Sequence, residues 1–385
     1  LHPSVEQVAG AINVMIAERA AERLGNASVT EPTPEPSPKP REPGVYFGLP
    51  SAEYHADPSL GSADLKRLLQ APAVYWWHSW MNAKRQATLD TPAKQKGRAL
   101  HKLVLEGEEA FAKAFAEEPQ PDAGCLVTLE DFKARCRELR EPVSGTKAEL
   151  AKRIKVKDPK AIIFDDILAT FRVMAERDGL EVLKADAMRE VRQSAATITV
   201  NPHLARAFTG GAPEVSVFWV EHDVPLKARF DYLKPKTIVD LKRLANQRER
   251  PVDLAILLAI AEYRYDVQAR HYLSAYWHLW MAAQEDAVFG DCPLPKNWPD
   301  QIALPDDIAF TWVFHCVDAP VSKGRSITPD APALNRATRE ITQAKQLYRE
   351  RLAKFGTAPW VSDEPVRAIG ETDVPAWMRE DVEVL

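Results

Sequence analysis

Three ionisable side chains stand out in the stretch KARFDYLKPKTIVDLKRL, residues 227–244: Asp231, Asp240 and Lys242. They sit among β-branched and aromatic residues that favour a buried hairpin. Burying charge costs several kcal/mol unless the group is paired or holds a cation. RFDYL and IVDLKRL read as neighbouring strands joined by the tight KPKT turn. The two-residue period puts Asp240 and Lys242 on one face, and the hairpin brings Asp231 to the same end of it. Two acceptor-only carboxylates suit a hard divalent cation such as Mg²⁺ or Mn²⁺. An ion there would activate water and neutralise charge on a phosphodiester. Lys242 would orient the attacking water or stabilise the developing oxyanion. The chemistry is phosphodiester hydrolysis, although D-x-K on a strand fits a solvated edge or a surface ion pair as well.

Neighbouring segments add to the cluster. In APEVSVFWV, Glu214 opens the preceding strand and offers a third acidic group. In EYRYDVQARHYLSAYWHLW, Tyr265, Gln268 and Tyr272 fall near one helical face. Aromatic residues at that spacing usually face a core. A glutamine among them, one helix after the acidic strands, points toward the site.

The elements that must position these groups follow from periodicity. Residues 4–24 carry a helical pattern, and the proline-rich stretch 26–44 reads as an extended tether. The folded body starts near Val45. Ser59 or Ser62 suits a helix N-cap before ADLKRLL. AKQKGRALHKLVLEG reads as a helix ending at Gly107. Segments 162–178 and 186–194 are helical or mixed. Three strands are expected in EVSVFWVEH, PLKARFDYL and TIVDLKRL, then one long helix from Leu254 to about Glu285. IAFTWVFHCVD is a further strand, and residues 332–356 form an amphipathic helix. The class is α/β, a sheet with helices on its faces.

The order Asp231, then Asp240-Leu241-Lys242, resembles the PD-(D/E)xK nuclease superfamily. Arg229 and Phe230 stand where that motif places its proline, so the proline is absent. YHADPSLGSADLKRLLQAPAVYWW, KGRALHKLVLEG, KARFDYL, IVDLKRL and YRYDVQARHYLSAYW follow the order found in RecE-like exonucleases of the exonuclease VIII type. The resemblance spans roughly Val45 to Asp318, without the segment around 121–159. It implies a restriction-endonuclease-like core with a mixed central sheet flanked by helices. It makes His101 an active-site histidine near the metal, Asp231 and Asp240 metal-binding carboxylates, Lys242 the catalytic lysine, Gln268 the glutamine of Y-x-x-Q-x-x-x-Y, and Glu214 an auxiliary ligand. It implies a Mg²⁺-dependent (or Mn²⁺-dependent) exonuclease with two ions per site. Such an enzyme digests double-stranded DNA ends 5′-to-3′, forms a ring-shaped homo-oligomer and acts beside a single-strand annealing recombinase in phage or prophage recombination. Without the resemblance, His101 reads as an ordinary helix-face histidine.

LVTLEDFKARCRELREPVSGTKAELAKRI looks like a SAP motif, a small helical DNA-binding module inserted into the nuclease body. Leu129, Phe132, Cys136 and Leu139 share one helical face, as do Leu150 and Ile154 on the next helix. Thr146 caps the second helix and would present backbone N–H groups to a phosphate. Lys133, Arg135, Arg137, Lys147, Lys152, Arg153 and Lys155 supply local positive charge. Lys133, Arg137, Thr146, Lys147, Lys152 and Arg153, with Tyr265 and Tyr272, are the expected DNA contacts, holding duplex without reading bases. The bland alternative is a basic helical hairpin packed on the body. The expected domains are an N-terminal helix (1–25), a linker (26–44), a helical first part (45–120), the insertion (121–159) and the nuclease core (160–385).

Composition sets the outer limits. The 385 residues, 45% hydrophobic and 27% charged, are those of a globular protein of one large domain with accessories. Net charge is −5, so positive charge for nucleic acid must be local. The longest apolar run, LAILLAIA, is too short to span a bilayer, and no secretory leader pattern is visible, so no membrane partner is expected. Leu1 in place of methionine reads as a trimmed start or a fragment. Four cysteines without C-x-x-C spacing argue against a zinc ribbon or an iron–sulfur cluster and fit reduced thiols in the cytoplasm. The competing readings are a catalytically silent module that binds DNA ends, and a different PD-(D/E)xK nuclease of DNA repair or CRISPR adaptation. A plain scaffold leaves the clustered ionisable groups unexplained.

Overall fold

The computed structural model describes residues 38–374, apart from 87–88, 363–364, 367 and 371–372. The N-terminal helix expected at 4–24 and most of the proline-rich tether therefore lie outside the described residues. In chain order the strands are β1 (Gly44–Tyr46), β2 (Phe115–Glu117), β3 (Glu181–Leu183), β4 (Ala212–Glu221), β5 (Val224–Lys234), β6 (Thr237–Leu244), β7 (Val288–Phe289), β8 (Ala309–Cys316) and β9 (Val321–Ile327). The helices that matter for the site are α1 (Ser62–Gln70), α2 (Pro92–His101), α3 (Leu129–Glu138), α4 (Lys147–Lys157), α5 (Phe164–Arg177), α6 (Ala185–Thr199), α7 (Val252–Glu262), α8 (Tyr265–Gln284) and α9 (Asn335–Phe355).

The central sheet runs β7-β1-β4-β5-β6-β8-β9. It is mixed: β6 and β8 are parallel, as are β1 and β7, and the other neighbours are antiparallel. Strand alternation sorts β6 between two cores. Ile238 and Leu244 join the larger one, built with α1, α8 and α9, while Val239 and Leu241 join the smaller one, built with α2 and α6. The expected α/β sheet with helices on both faces is what forms. Buried leucines such as Leu273 and Leu279 anchor α8 to it, at about 1.5–3 kcal/mol each for full burial.

The three expected catalytic strands match β4, β5 and β6, and Pro235-Lys236 form the two-residue turn between Lys234 and Thr237. Other expectations shift. The N-cap of α1 is Gly61, whose N–H donates to Asp64 Oδ2 at 3.0 Å, and Ser62 is the first helical residue. Gly107 does not end the His101 helix. After α2 the chain makes a π-helical turn over Lys102–Glu106, and Gly107, at φ 85°, redirects it into another helix. The long helix expected from Leu254 is two helices. Arg264 adopts φ 53° between them, held by ion pairs to Asp266 (3.0 Å) and Glu340. The short strand β1 and the edge strands β7 and β9 carry no strong periodic signal.

Residues 126–163 close on themselves. Leu126 N–H donates to Ile162 O (2.8 Å), and Phe164 N–H donates back to Leu126 O (3.1 Å). Phe132, Cys136, Leu150, Ile154 and Ile163 make a small core of their own. Leu129 is 41% exposed and stands outside that core, contrary to its expected place on the buried face. The module and α5 lie between β2 and β3, whose parallel pairing brings entry and exit together. Among the described residues no helix is long and apolar enough to cross a membrane.

Candidate active site

A fork in the sheet creates the site. β5 and β6 pair only through Tyr232↔Val239, Leu233↔Ile238 and Lys234↔Thr237, and then diverge. Beyond that point Asp231 takes over from the ladder, as its Oδ2 accepts the Leu241 N–H at 2.8 Å. The neighbouring ladder lapses at the same level. β4 and β5 pair as Pro213↔Tyr232 and Val215↔Phe230, skipping Glu214 and Asp231 between them. Glu214 has φ 53°. Ala212 and Val215 both join the larger core, as do Phe230 and Leu233. A spacing of three in place of an even number means that both strands change face here. A glutamate in the left-handed region is uncommon, and such backbone clusters at functional sites.

Two helices reach the fork from opposite faces of the sheet. His101, at the end of α2, places Nε2 3.1 Å from Leu241 O and Nδ1 3.7 Å from Asp231 Oδ2. Ligand atoms of His101, Glu214 and Asp231 all lie within 4.8 Å of one another. From the other face, α8 sends Gln268, 8% exposed, to donate from Nε2 to Asp240 Oδ1 at 2.8 Å. Lys242 Nζ lies 2.5 Å from Asp240 Oδ2. That ion pair is the contact of a carboxylate oxygen which has no well-oriented hydrogen bond, in a residue with 0% exposure. Lys242 Nζ also lies 5.0 Å from the centroid of the Tyr265 ring.

The charges are strained against one another. Burial first, and the Asp240 carboxylate next, push the pKa of Asp231 from 3.8 up to about 7. Glu214 is raised by burial and by Asp231, although Arg229 pairs with it. Burial and the charge of Lys242 hold His101 below the usual histidine range, which keeps the imidazole neutral and able to ligate. Burial works against the Lys242 charge, but Asp240 and Asp231 outweigh it and hold the ammonium above its ordinary range. Two carboxylates kept above their ordinary range, a neutral imidazole and an under-bonded buried carboxylate oxygen describe a place that a hard dication would relieve. The donor set fits such an ion. His101, Glu214 and Asp231 would hold it, with Asp240 and the Leu241 carbonyl alongside.

The structure thus brings together His101, Glu214, Asp231, Asp240, Lys242 and Gln268. Asp240 stands apart from the group of three potential ligands and is engaged by Lys242 and Gln268. Tyr265 borders Lys242. Tyr272 is 9% exposed and packs against Phe230 and Phe310, so most of its ring serves the core in place of an open stacking surface. Sequence reasoning missed Arg229. Its guanidinium pairs with Glu214 and donates to Leu49 O at 2.9 Å. Its position two residues before Asp231 on one strand was the available signal. The Leu241 carbonyl, a backbone group, left no trace in side-chain pattern.

The inserted module is less open to phosphate than its sequence suggests. Thr146 does cap α4, but Glu149 reaches back to the Thr146 N–H at 2.7 Å and closes the capping box where an anion would sit. Lys133 pairs with Glu130 (2.9 Å), Lys147 with Asp165 (2.7 Å), Lys155 with Asp166, and Arg135 with Asp158 and Glu138 (2.6 Å each). Arg153 donates to Pro142 O at 2.9 Å and to Ser144 O. Arg137 and Lys152 have no ion-pair partner among the described residues.

No curated protein matches the chain. Among solved structures, a "Putative exonuclease" from Eubacterium rectale is similar over 79% of this chain and 86% of its own, at 11% identity and a TM-score of 0.43. The PDDEXK-like domain of unknown function (DUF3799) matches residues 62–278, a segment that contains all six residues gathered at the fork. That match covers more than half of the chain, which belongs to this PDDEXK-like family.

Proposed function

We propose that this protein is a divalent-metal-dependent deoxyribonuclease that removes nucleotides from the ends of duplex DNA. One observation carries the reading: side chains from both faces of the sheet converge on the fork between β5 and β6, and they set a histidine and two raised carboxylates within reach of one cation. When bound, a hard dication supplies activation of water and neutralisation of phosphodiester charge. His101, Glu214 and Asp231 would hold it. Gln268 fixes the Asp240 carboxylate by its Oδ1, leaving Oδ2 directed at Lys242. Lys242, kept protonated by its carboxylate neighbours, donates to the oxyanion that develops on the phosphate. The Tyr265 ring beside it limits the directions its ammonium can take.

The finer reading follows the RecE-like resemblance: 5′-to-3′ digestion with Mg²⁺ or Mn²⁺, two ions per site, in a ring of identical subunits serving an annealing recombinase. A second DNA contact is assigned to the SAP-like module, because its self-closed core can present Arg137 and Lys152 without disturbing the nuclease body. The test is digestion of linear, nicked and covalently closed duplexes in Mg²⁺. Nucleotide release from linear DNA alone supports an exonuclease. Equal cutting of closed circles would replace it with an endonuclease, and binding without release would make the protein an end clamp.

A further inference from the structure

Lys66 projects from α1 to the edge of the fork. Its Nζ donates to Tyr263 O at 2.8 Å and lies 5.5 Å from the centroid of the Tyr265 ring, the same ring that Lys242 approaches at 5.0 Å. The two ammonium groups differ in one respect. Lys242 has Asp240 as a counter-ion. Lys66 has no carboxylate within ion-pair distance among the described residues; Asp266 and Asp240 act on it only from further away, and each is paired elsewhere, with Arg264 and with Lys242. Burial, followed by the charge of Lys242, lowers the Lys66 pKa to about 8. A half-buried ammonium held beside another cation, bonded to a carbonyl and a ring face and paired with no carboxylate, is set up for an anion that arrives later.

We propose that Lys66 is a positioning residue for DNA, binding a non-bridging oxygen of the phosphate next to the one that is cut, with the Tyr265 ring spacing it from Lys242. The inference rests on the nuclease reading for the identity of the substrate. Lys66 touches the strand away from the reacting phosphorus, so its contact is the same in ground and transition states. Its loss therefore raises KM and leaves kcat nearly unchanged.

The experiment uses the full chain with Lys66→Met and Lys66→Arg, each also combined with Asp240→Asn so that binding can be measured without turnover. For Lys66→Met the expected results are a KM about tenfold higher, kcat within about twofold, and a salt slope of log K for DNA binding shallower by about 0.7–0.9. Lys66→Arg should retain most of the wild-type slope. A DNA end carrying a neutral methylphosphonate at the neighbouring linkage should weaken binding of the parent and leave Lys66→Met unaffected. Equal losses in both proteins, or an unchanged slope in Lys66→Met, overturn the assignment. If the wild type binds DNA but releases no nucleotides in Mg²⁺ or Mn²⁺, the nuclease reading fails, and the slope and methylphosphonate measurements still decide the role of Lys66.

Discussion

Replacing Asp231 with asparagine should stabilise the metal-free protein at alkaline pH, and the gain should depend on pH in a defined way. The native carboxyl titrates near 7 and the free one near 3.8. A raised carboxylate is bound to its proton more firmly in the folded state, so wild-type stability falls as pH climbs from about 4 to about 7 and is flat above that. At 1.36 kcal/mol per unit, the wild-type penalty grows by at most about 2.7 kcal/mol between pH 5 and pH 8.5. The Asp231 side chain keeps 16% exposure, so solvent reduces this ceiling. Asparagine retains an oxygen to accept the Leu241 N–H, which limits the structural cost of the change. In chelator, Asp231→Asn should therefore gain on the wild type by up to roughly 3 °C in Tm between the two pH values. Saturating Mn²⁺ should cancel that advantage. A ligand at a hundred times its Kd adds about 2.7 kcal/mol to the protein that binds it, and the variant has lost a ligand. Scanning calorimetry at both pH values, with and without Mn²⁺, gives the four numbers. A Tm gap that does not change with pH, or an equal Mn²⁺ gain in both proteins, refutes the strained-carboxylate argument.

Other substitutions separate roles within the fork. Asp240→Asn should lower nucleotide release by at least about a thousandfold while DNA binding in a filter or anisotropy assay persists, since loss of a transition-state contact falls on kcat. Gln268→Ala should leave one Asp240 oxygen without a donor, cutting kcat with little change in KM; restored turnover in Gln268→Asn would show that reach is not limiting. Arg137→Ala with Lys152→Ala should reduce the salt slope of duplex binding by up to about 1.8 and leave single-turnover cleavage rates intact, whereas an unchanged slope removes the module from the DNA path.

Much of this site was legible because strand chemistry is periodic. The alternation of IVDLKRL places Asp240 and Lys242 together, and their 2.5 Å ion pair follows. The tight KPKT turn fixes the register that brings Asp231 near Leu241. What the sequence hid is non-periodic. The break at Arg264 falls three residues after the apolar run LAILLAIA ends, inside a stretch that still suits a helix, and a left-handed arginine carries no local signature. The closure of α4 by Glu149 was readable as a capping box in TKAE, but that same box occupies the place reserved for a phosphate. The pairing of Lys147 with Asp165 and Lys155 with Asp166 joins residues from separate helices, so the loss of free positive charge is a tertiary effect. Nothing in ADLKRLL distinguishes Lys66 from a solvent-facing lysine of an amphipathic helix, and only the fold sets it against Tyr265.

The fork also explains why the site needs two cores. A continuous ladder between β5 and β6 would satisfy Leu241 with backbone alone and leave His101 and Gln268 on opposite sides of a closed sheet. Opening the ladder releases the Leu241 N–H and carbonyl, and side chains claim both: Asp231 the first, His101 the second. Each buried backbone group left without a partner would cost about 1–3 kcal/mol, so Asp231 and His101 hold the fork open structurally while they serve as candidate ligands. This dual duty predicts that His101→Ala destabilises the protein even in chelator, by about 1–3 kcal/mol in urea unfolding, because a backbone carbonyl loses its partner, whereas Lys242→Met, which bonds no backbone, lowers turnover and destabilises by another route, the stranding of the buried Asp240 carboxylate. If the metal-free His101→Ala protein is as stable as the wild type, the fork is maintained by the strands themselves and the histidine serves the ion alone.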